Sequence, residues 1–201
     1  MFGRRFSDLL LFSVTVVELV LLFLLTPTFT ITDWIYVLQH LMVLAIALTR
    51  SAPTVQDYSL GSSIAVGISY LYAYAQVIYL RSSPGQSTWP VAGLVLVTLA
   101  AALSFGSLLT IRRLFGIRPA LRGLTTRGPY RFVRHPIYLS YVIADIGYNL
   151  QEWNLGTILL VLAGWASLVY RIYAEERILS QHAEWRAYVA SVRYRFCPWL
   201  W

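Results

Sequence analysis

One short stretch in the second half of the chain concentrates the residue types that bind ligands. Residues 128–138 read Gly-Pro-Tyr-Arg-Phe-Val-Arg-His-Pro-Ile-Tyr. Proline is tolerated in the first turn of a helix, so His135-Pro136 predicts a helix start. The free backbone N–H groups at such a start favour an anion, and Arg131 and Arg134 add positive charge. The stretch suits a cradle for a ligand with an anionic group and a ring. It suits equally well a basic loop against lipid phosphates.

A second group of charged residues lies at the end of the last apolar run. It consists of Arg171, Glu175 and Glu176. Acidic residues that emerge from an apolar helix beside a basic loop are expected to pair with that loop. Arg171 and Glu175 are four residues apart, which suits an ion pair on one helix. From spacing alone, a structural salt bridge is the favoured interpretation of this group.

The composition indicates a membrane protein. Of 201 residues, 58% are hydrophobic and 12% are charged, whereas about 25% are charged in an average soluble domain. The net charge of +7 comes from arginine alone. The arginines fall in short loops between apolar runs, which argues for membrane topology and against nucleic-acid binding. The single Cys197 excludes a disulfide framework, and the three widely separated histidines lack zinc spacing, so no metal partner is expected.

Six apolar runs organise the chain, and most approach the ~20 residues that cross a bilayer as a helix. Helix is expected because unpaired strands leave their backbone groups unsatisfied in lipid. We therefore predict an all-α integral membrane protein with about five to six transmembrane helices. We expect residues 1–111 to form an N-terminal four-helix region, and residues 112–201 to form a C-terminal region of loop, helical hairpin and amphipathic helix. The runs are Leu9–Leu25, Trp34–Leu48, Leu60–Leu80, Trp89–Ile111, Ile137–Leu150 and Leu155–Tyr173.

The last two runs predict a helical hairpin whose first arm is short for a full crossing. After them, residues 175–192 place apolar side chains on one helical face, which predicts a single amphipathic helix in the membrane interface. These side chains are Ile178, Leu179, His182, Trp185, Tyr188, Val189 and Val192.

The arginine distribution predicts the orientation. If the N-terminus is cytoplasmic, Arg81 is the only one of 16 arginines in an outside loop. We therefore expect a multi-pass membrane protein with both termini in the cytoplasm. The first run lacks a small-residue cleavage site and is read as a retained span.

Four polar residues interrupt the apolar runs: Glu18, His40, Gln76 and Asp145. Ionisable groups are costly in a membrane and usually face the bundle interior or a cavity. Hydrogen bonding between helices is an equally good explanation. His40 lies near the middle of its run and is a candidate partner for Glu18.

Together these motifs resemble the isoprenylcysteine carboxyl methyltransferase and phospholipid methyltransferase superfamily. The resemblance covers roughly residues 104–201, and the first hundred residues match only in being membrane helices. The matching motifs are Ser104-Phe105-Gly106, residues 115–120, residues 127–138, Arg171-x3-Glu175-Glu176-x2-Leu179, Trp185, Tyr188, Val192, Arg195 and Pro198.

The resemblance implies an S-adenosylmethionine-dependent membrane enzyme with a cofactor pocket on the cytoplasmic side. It implies that a lipophilic acceptor, carrying a carboxylate, amine or thiol, enters from the bilayer. The catalytic residues would be Arg171 and Glu176, with Glu176 acting as a base or orienting Arg171. The cofactor-binding residues would be Gly128, Pro129, Tyr130, Arg134, His135, Pro136, Tyr138 and Glu175.

The chain departs from the family pattern in three places. Ser140 stands where the family often has glycine, Gln181-His182 and Trp185 stand where it often has Phe-Gly, and the tail ends in a tryptophan-rich segment. Two other functions remain open. One is an NADPH-dependent reductase of the sterol-reductase type, which shares this architecture but is much longer. The other is a non-catalytic membrane protein with the same fold.

Overall fold

The computed structural model describes residues 2–83 and 85–197 and is predominantly helical. The helices are α1 Phe2–Leu25, α2 Ile31–Thr49, α3 Leu60–Ser82, α4 Pro90–Ile111, α5 Pro136–Gln151, α6 Leu155–Leu179 and α7 Trp185–Ser191. Two 3-10 turns, Arg112–Leu114 and Gly128–Arg131, and two short strands, β1 Val55–Gln56 and β2 Ala120–Leu121, lie in the connecting loops.

The predicted all-α membrane fold is confirmed. Among the described residues, four helices are long and apolar enough to cross a bilayer: Ile31–Thr49, Leu60–Leu80, Pro90–Leu114 and Leu155–Leu179. Phe12–Leu25 adds a shorter apolar helix. The length and composition of these helices indicate a multi-pass membrane protein. Successive helices run in alternating directions, so α5 begins and α6 ends at one end of the bundle, here called the inner end. The opposite end is the outer end.

Small residues let the helices approach closely. The most extensive contacts are those of α4 with α5 and of α3 with α6. A Cβ atom on Gly93 of α4 would lie 2.5 Å from the carbonyl oxygen of Gly147 in α5. A Cβ atom on Gly164 of α6 would lie 2.8 Å from the ring of Tyr72 in α3. Such small-residue contacts replace the hydrophobic effect as the basis of helix packing in lipid.

The hairpin α5–α6 brings the two charged motifs to the same level. Its α5 arm has 16 residues, or about 24 Å at 1.5 Å per residue, which is shorter than the ~30 Å hydrocarbon core. The α6 arm has 25 residues, begins after a capping box of Asn154 and Thr157, and continues past the start of α5. Because both arms leave one tight turn at the outer end, Arg171 reaches the inner end beside Tyr138.

The prediction of one amphipathic helix over residues 175–192 is wrong. Helix α6 continues to Leu179, residues 180–184 turn, and α7 begins at Trp185. The turn is closed in part by the Glu184 N–H, which donates to Nδ1 of His182 at 3.3 Å. The reversal packs Trp185, Tyr188 and Val192 against Leu124 and Leu179. The apolar face of α7 thus contacts the protein. Pro198 and the tail tryptophans lie outside the described residues.

Candidate functional site

Backbone hydrogen bonds attach the C-terminal tail to the loop before α5. The N–H of Arg134 donates to the carbonyl oxygen of Tyr194 at 3.0 Å, and that of His135 donates to Arg195 at 2.7 Å. The Tyr188 hydroxyl of α7 donates to the carbonyl oxygen of Tyr130 at 2.8 Å. Burial disfavours the phenolate and raises the pKa of Tyr188 above its usual range. These three bonds hold residues 130–135 against α7 and the tail.

Gly128 and Pro129 shape this loop. Gly128 has φ +55°, and a Cβ atom there would lie 2.5 Å from Oγ1 of Thr110. A side chain at this position would meet both the left-handed penalty and a clash with α4. Pro129 opens the 3-10 turn Gly128–Arg131, and Pro136 is the first residue of α5, with His135 at the N-cap. The predicted helix start at His135-Pro136 is confirmed.

Glu176 is surrounded by three basic side chains. Its Oε1 lies 3.4 Å from Nε of Arg134 and 3.3 Å from Nε2 of His135, and its Oε2 accepts from Nε of Arg195 at 3.0 Å. Burial lowers the pKa of Arg134, while the Glu176 carboxylate opposes that shift. The pairing expected between the acidic helix end and the basic loop is therefore present. It joins α6, the loop and the tail.

Arg171 is buried at the inner end of α6. It is 6% exposed, it donates from Nη2 to the carbonyl oxygen of Ile117 at 2.9 Å, and its guanidinium lies 5.1 Å from the ring centroid of Tyr138. Its Nε is buried without a hydrogen-bond partner. The suggested ion pair with Glu175 is not among the contacts of the described residues. Glu175 instead accepts a hydrogen bond from the Tyr138 hydroxyl.

His135 lies between the two glutamates. Its Nδ1 is 3.8 Å from Oε2 of Glu175, its Nε2 faces Glu176, and its ring stacks on Tyr138 at 5.6 Å. Glu175 is the more accessible glutamate, with 22% of its side chain exposed against 12% for Glu176. Glu175 is therefore partly exposed, whereas Glu176 is enclosed by basic side chains.

A single cavity of about 600 Å³ connects this group with the interior of the bundle. It extends from Trp185 and Arg134 at the inner end to Gln151 at the outer end of α5. Six of the predicted site residues line it: Tyr130, Arg134, His135, Tyr138, Arg171 and Glu175. Four do not: Gly128, Pro129, Pro136 and Glu176.

Several lining residues were absent from the predicted site. On α5 they include Tyr141, Asp145, Tyr148 and Gln151, which continue the face of Tyr138 at helical spacing. The sequence did contain a signal for these four residues, because polar side chains recur there every three or four positions inside an apolar run. Arg118 and Arg122, from the loop after α4, also line the cavity. Arg118 lies in the matching motif of residues 115–120 but was not assigned to the site, and no local pattern singled out Arg122.

The pairing suggested for two residues inside the apolar runs is confirmed. Nε2 of His40 lies 2.8 Å from Oε2 of Glu18. Within residues 2–83 and 85–197, no group of three or more His, Cys, Asp or Glu side chains is arranged to hold a metal ion.

One protein-family model matches part of the chain. Residues 94–181 match the model of the isoprenylcysteine carboxyl methyltransferase (ICMT) family. The matched segment runs from α4 to the turn after α6, and therefore includes both charged motifs. No curated protein and no solved structure matches the chain.

Proposed function

Because residues 94–181 match the model of the isoprenylcysteine carboxyl methyltransferase family, we propose that this protein is a membrane methyltransferase that uses S-adenosylmethionine. The proposed acceptor is a lipophilic molecule with a carboxylate, which reaches the cavity from the bilayer. The observation that carries this proposal is the placement of Arg171 and Glu175, one helical turn apart, on the wall of one cavity.

The residues at the inner end suit the proposed cofactor. S-adenosylmethionine supplies an electrophilic methyl group on a positively charged sulfonium. Glu175 offers a partly exposed carboxylate beside the ring of Tyr138, and carboxylates and aromatic faces both attract cations. The guanidinium of Arg134 also lines the cavity, and its Nε lies 3.4 Å from the Glu176 carboxylate without hydrogen-bonding to it. It suits the carboxylate of the amino-acid part of the cofactor.

Arg171 suits the acceptor. A buried guanidinium with an unpartnered Nε favours an anionic ligand, because a carboxylate accepts two parallel hydrogen bonds from its planar fork. Residues four apart on a helix have Cβ atoms about 5–6 Å apart. An acceptor carboxylate on Arg171 and a cation on Glu175 would therefore be neighbours.

Positioning is the main chemical contribution in this proposal. Holding two reactants in a reactive geometry contributes up to ~7–11 kcal/mol. A carboxylate acceptor is already deprotonated, so the reaction needs no general base. We therefore assign Glu176 a positioning role, in which it holds Arg134, His135 and Arg195 together.

The test is transfer of a labelled methyl group. Purified protein in lipid vesicles is incubated with methyl-labelled S-adenosylmethionine and a lipid extract of the host. We expect label in a lipid product, and we expect mild base to release it as methanol, because methyl esters hydrolyse. Base-stable label would replace the carboxylate with an amine or thiol acceptor.

Calorimetry separates this function from the two alternatives. A methyltransferase binds S-adenosylmethionine, whereas a reductase of the sterol-reductase type binds NADPH. Binding of NADPH alone would refute the proposal in favour of the reductase, and binding of neither would favour a non-catalytic protein.

We further propose that the inner end faces the cytoplasm of a bacterial cell and that both termini lie on that side. The clustering of arginines at this end supports the orientation. Cys197 is the only cysteine and is partly exposed. A membrane-impermeant maleimide should label it in inside-out vesicles and leave it unlabelled in spheroplasts. The opposite result would reverse the orientation.

A further inference from the structure

Four tyrosines line the cavity between its two ends. They are Tyr36 of α2, Tyr70 of α3, and Tyr141 and Tyr148 of α5, and we call them the interior tyrosines. Among the residues that the structure describes, no protein group hydrogen-bonds to any of their hydroxyls. These hydroxyls are not enclosed by protein atoms either. Each of them therefore opens onto the cavity.

Packing fixes the rings of these tyrosines. The ring of Tyr36 stacks on that of His40, with 3.9 Å between the ring centroids. Tyr70 and Tyr141 pack against one buried apolar group, which includes Leu108. Because the rings are held in place, the hydroxyls have little freedom to reach another protein group. Their hydrogen bonds must then come from water or from a ligand.

The hydroxyls are spread along the path that an elongated ligand takes through the cavity. Tyr141 and Tyr148 lie three and ten residues along α5 from Tyr138, which is about 5 Å and about 15 Å. The guanidinium of Arg171 lies over the ring of Tyr138. A molecule whose carboxylate binds Arg171 therefore meets hydroxyls along the segment that follows the carboxylate.

The carboxylates at the middle of the cavity already have donors from the protein. Oδ2 of Asp145 accepts from the Tyr72 hydroxyl at 3.2 Å and from Nε1 of Trp165 at 2.8 Å. Oε2 of Glu18 lies 2.8 Å from Nε2 of His40. The groups left open to a ligand at this depth are thus neutral hydroxyls, which donate as well as accept.

Gln76 gives a second, independent indication of a ligand. The residue lines the cavity and is 6% exposed, and its amide nitrogen is buried without a hydrogen-bond partner. An amide N–H only donates, so its missing partner is an oxygen that accepts. Gln76 lies one helical turn beyond Tyr72 on α3, and rotation of its flexible side chain turns this N–H toward the cavity.

A plain hydrocarbon chain does not suit this part of the cavity. It would displace water from the interior tyrosines and offer their hydroxyls no hydrogen bond in return, which costs free energy at each hydroxyl. An oxygen on the chain would instead accept from a hydroxyl or from Gln76. A cavity shaped only for hydrocarbon would have apolar side chains at this depth.

We propose that the acceptor molecule carries one or more neutral oxygens, as carbonyl, hydroxyl or ether groups, along the segment that follows its carboxylate. The interior tyrosines and Gln76 donate hydrogen bonds to these oxygens. This proposal rests on the proposed function, since the acceptor carboxylate is placed at Arg171. It makes the acceptor an oxygenated lipid acid and not a plain acyl or isoprenoid chain.

The test uses a series of octadecanoic acids in which one ketone is moved along the chain, each compared with octadecanoic acid itself. Binding to the full-length protein in detergent is measured by calorimetry without S-adenosylmethionine. We expect the ketone to tighten binding about tenfold at the best position, because its oxygen accepts a hydrogen bond that hydrocarbon cannot form. The ketone affects partition into detergent similarly at all internal positions, so only a bound oxygen produces a maximum along the series.

Replacement of single hydroxyls locates the effect. Tyr141→Phe should reduce the gain for ketones near the carboxylate, and Tyr148→Phe should reduce it for ketones further along. Both variants should bind octadecanoic acid more tightly than the parent does, because no hydroxyl is left without a hydrogen bond. Both keep the ring and lose no protein hydrogen bond, so their melting temperatures should not fall.

Tyr170→Phe is the matched control. Tyr170 is exposed on α6 and lies outside the cavity lining, so its replacement should change neither the binding of octadecanoic acid nor the gain from the ketone. A purely structural role for the interior tyrosines predicts lower melting temperatures and an unchanged gain in the two cavity variants, and this result overturns the proposal.

The series in the parent protein decides the matter without any variant. Weaker or equal binding of every ketone overturns the proposal, since an apolar tunnel makes the ketone lose its hydration without compensation. No step of this test uses the cofactor. Loss of S-adenosylmethionine binding in the separate calorimetry would therefore refute the methyltransferase function alone.

Discussion

Replacement of Arg171 is the sharpest test of the proposed site. The guanidinium is buried, lies over Tyr138 and donates one hydrogen bond to the carbonyl oxygen of Ile117. Its remaining donors include the unpartnered Nε. Arg171→Ala removes the proposed anchor of the acceptor carboxylate and leaves Glu175 in place. We expect methyl transfer to fail while S-adenosylmethionine still binds.

The size of the effect follows from the hydrogen bonds that are lost. A hydrogen bond to a charged group contributes about 1.5–3 kcal/mol, so two parallel bonds contribute roughly 3–6 kcal/mol. At 1.4 kcal/mol per factor of ten, kcat/KM should fall by at least about a hundredfold in Arg171→Ala. Arg171→Lys keeps the charge but loses the planar fork, so its kcat/KM should lie between those of Arg171→Ala and the parent.

Stability must be measured beside activity, because Arg171 also satisfies a buried carbonyl. Ile117 is 4% exposed, and an unsatisfied buried acceptor costs about 1–3 kcal/mol. Arg171→Ala should therefore melt at a lower temperature than the parent. Transfer is assayed well below that temperature, with labelled S-adenosylmethionine and host lipid extract, and cofactor affinity is measured by calorimetry.

Arg177→Ala is the matched control. Arg177 lies on the same helix, is exposed and does not line the cavity. Its replacement should leave transfer and cofactor affinity unchanged. Undiminished transfer in Arg171→Ala would refute the assignment of Arg171 to the acceptor. Loss of cofactor binding, with an unchanged KM for the lipid, would move Arg171 to the cofactor site.

Three further predictions concern the scaffold of the site. Glu176→Gln should weaken the attachment of the tail by about 1–3 kcal/mol, seen as faster hydrogen exchange around Tyr194, and unchanged exchange would contradict the positioning role. Tyr188→Phe should lower stability by about 1 kcal/mol at neutral pH. Because the pKa of Tyr188 is raised by folding, its contribution is present below pH ~10 and is lost as the pH rises further, so the variant should lose less stability in alkali than the parent. Gly128→Ala should destabilise the protein by at least ~1–2 kcal/mol, whereas Gly67→Ala, with nothing within 4 Å of the new Cβ atom, should be neutral or stabilising in the same thermal-unfolding measurement.

The features that depend on local chain chemistry were predictable from the sequence. Bilayer thickness and backbone hydrogen bonding leave few options for a 20-residue apolar run, so α2, α3 and α4 were expected close to their observed bounds. The start of α6 at Leu155 was also expected, but not its continuation to Leu179. Pro136 marked the first turn of α5 for an equally local reason. The resemblance of the charged motifs to one family was visible in the sequence because their spacing is a property of the chain itself.

The break between α6 and α7 was not predictable from periodicity. Residues 175–192 keep an apolar face throughout, and this pattern is the same for one long helix and for a helix that turns and packs back. The position of Leu124, from a loop distant in sequence, decides the outcome, because it gives Trp185 and Tyr188 an apolar surface within the protein.

The sequence alone indicated the membrane class, the positions of the long apolar helices and the two charged motifs, but it predicted five to six transmembrane helices where four of the described helices are long and apolar enough to cross a bilayer. Tertiary structure placed the adjacent glutamates in different environments, since a rotation of about 100° per helical residue directs Glu175 to the cavity and Glu176 to three basic side chains. It also joined Glu18, His40, Gln76 and Asp145, from four different helices, along one cavity. Helix rotation and contact are set by close packing between distant segments, such as Gly93 against Gly147, and no local pattern in the chain contains that information.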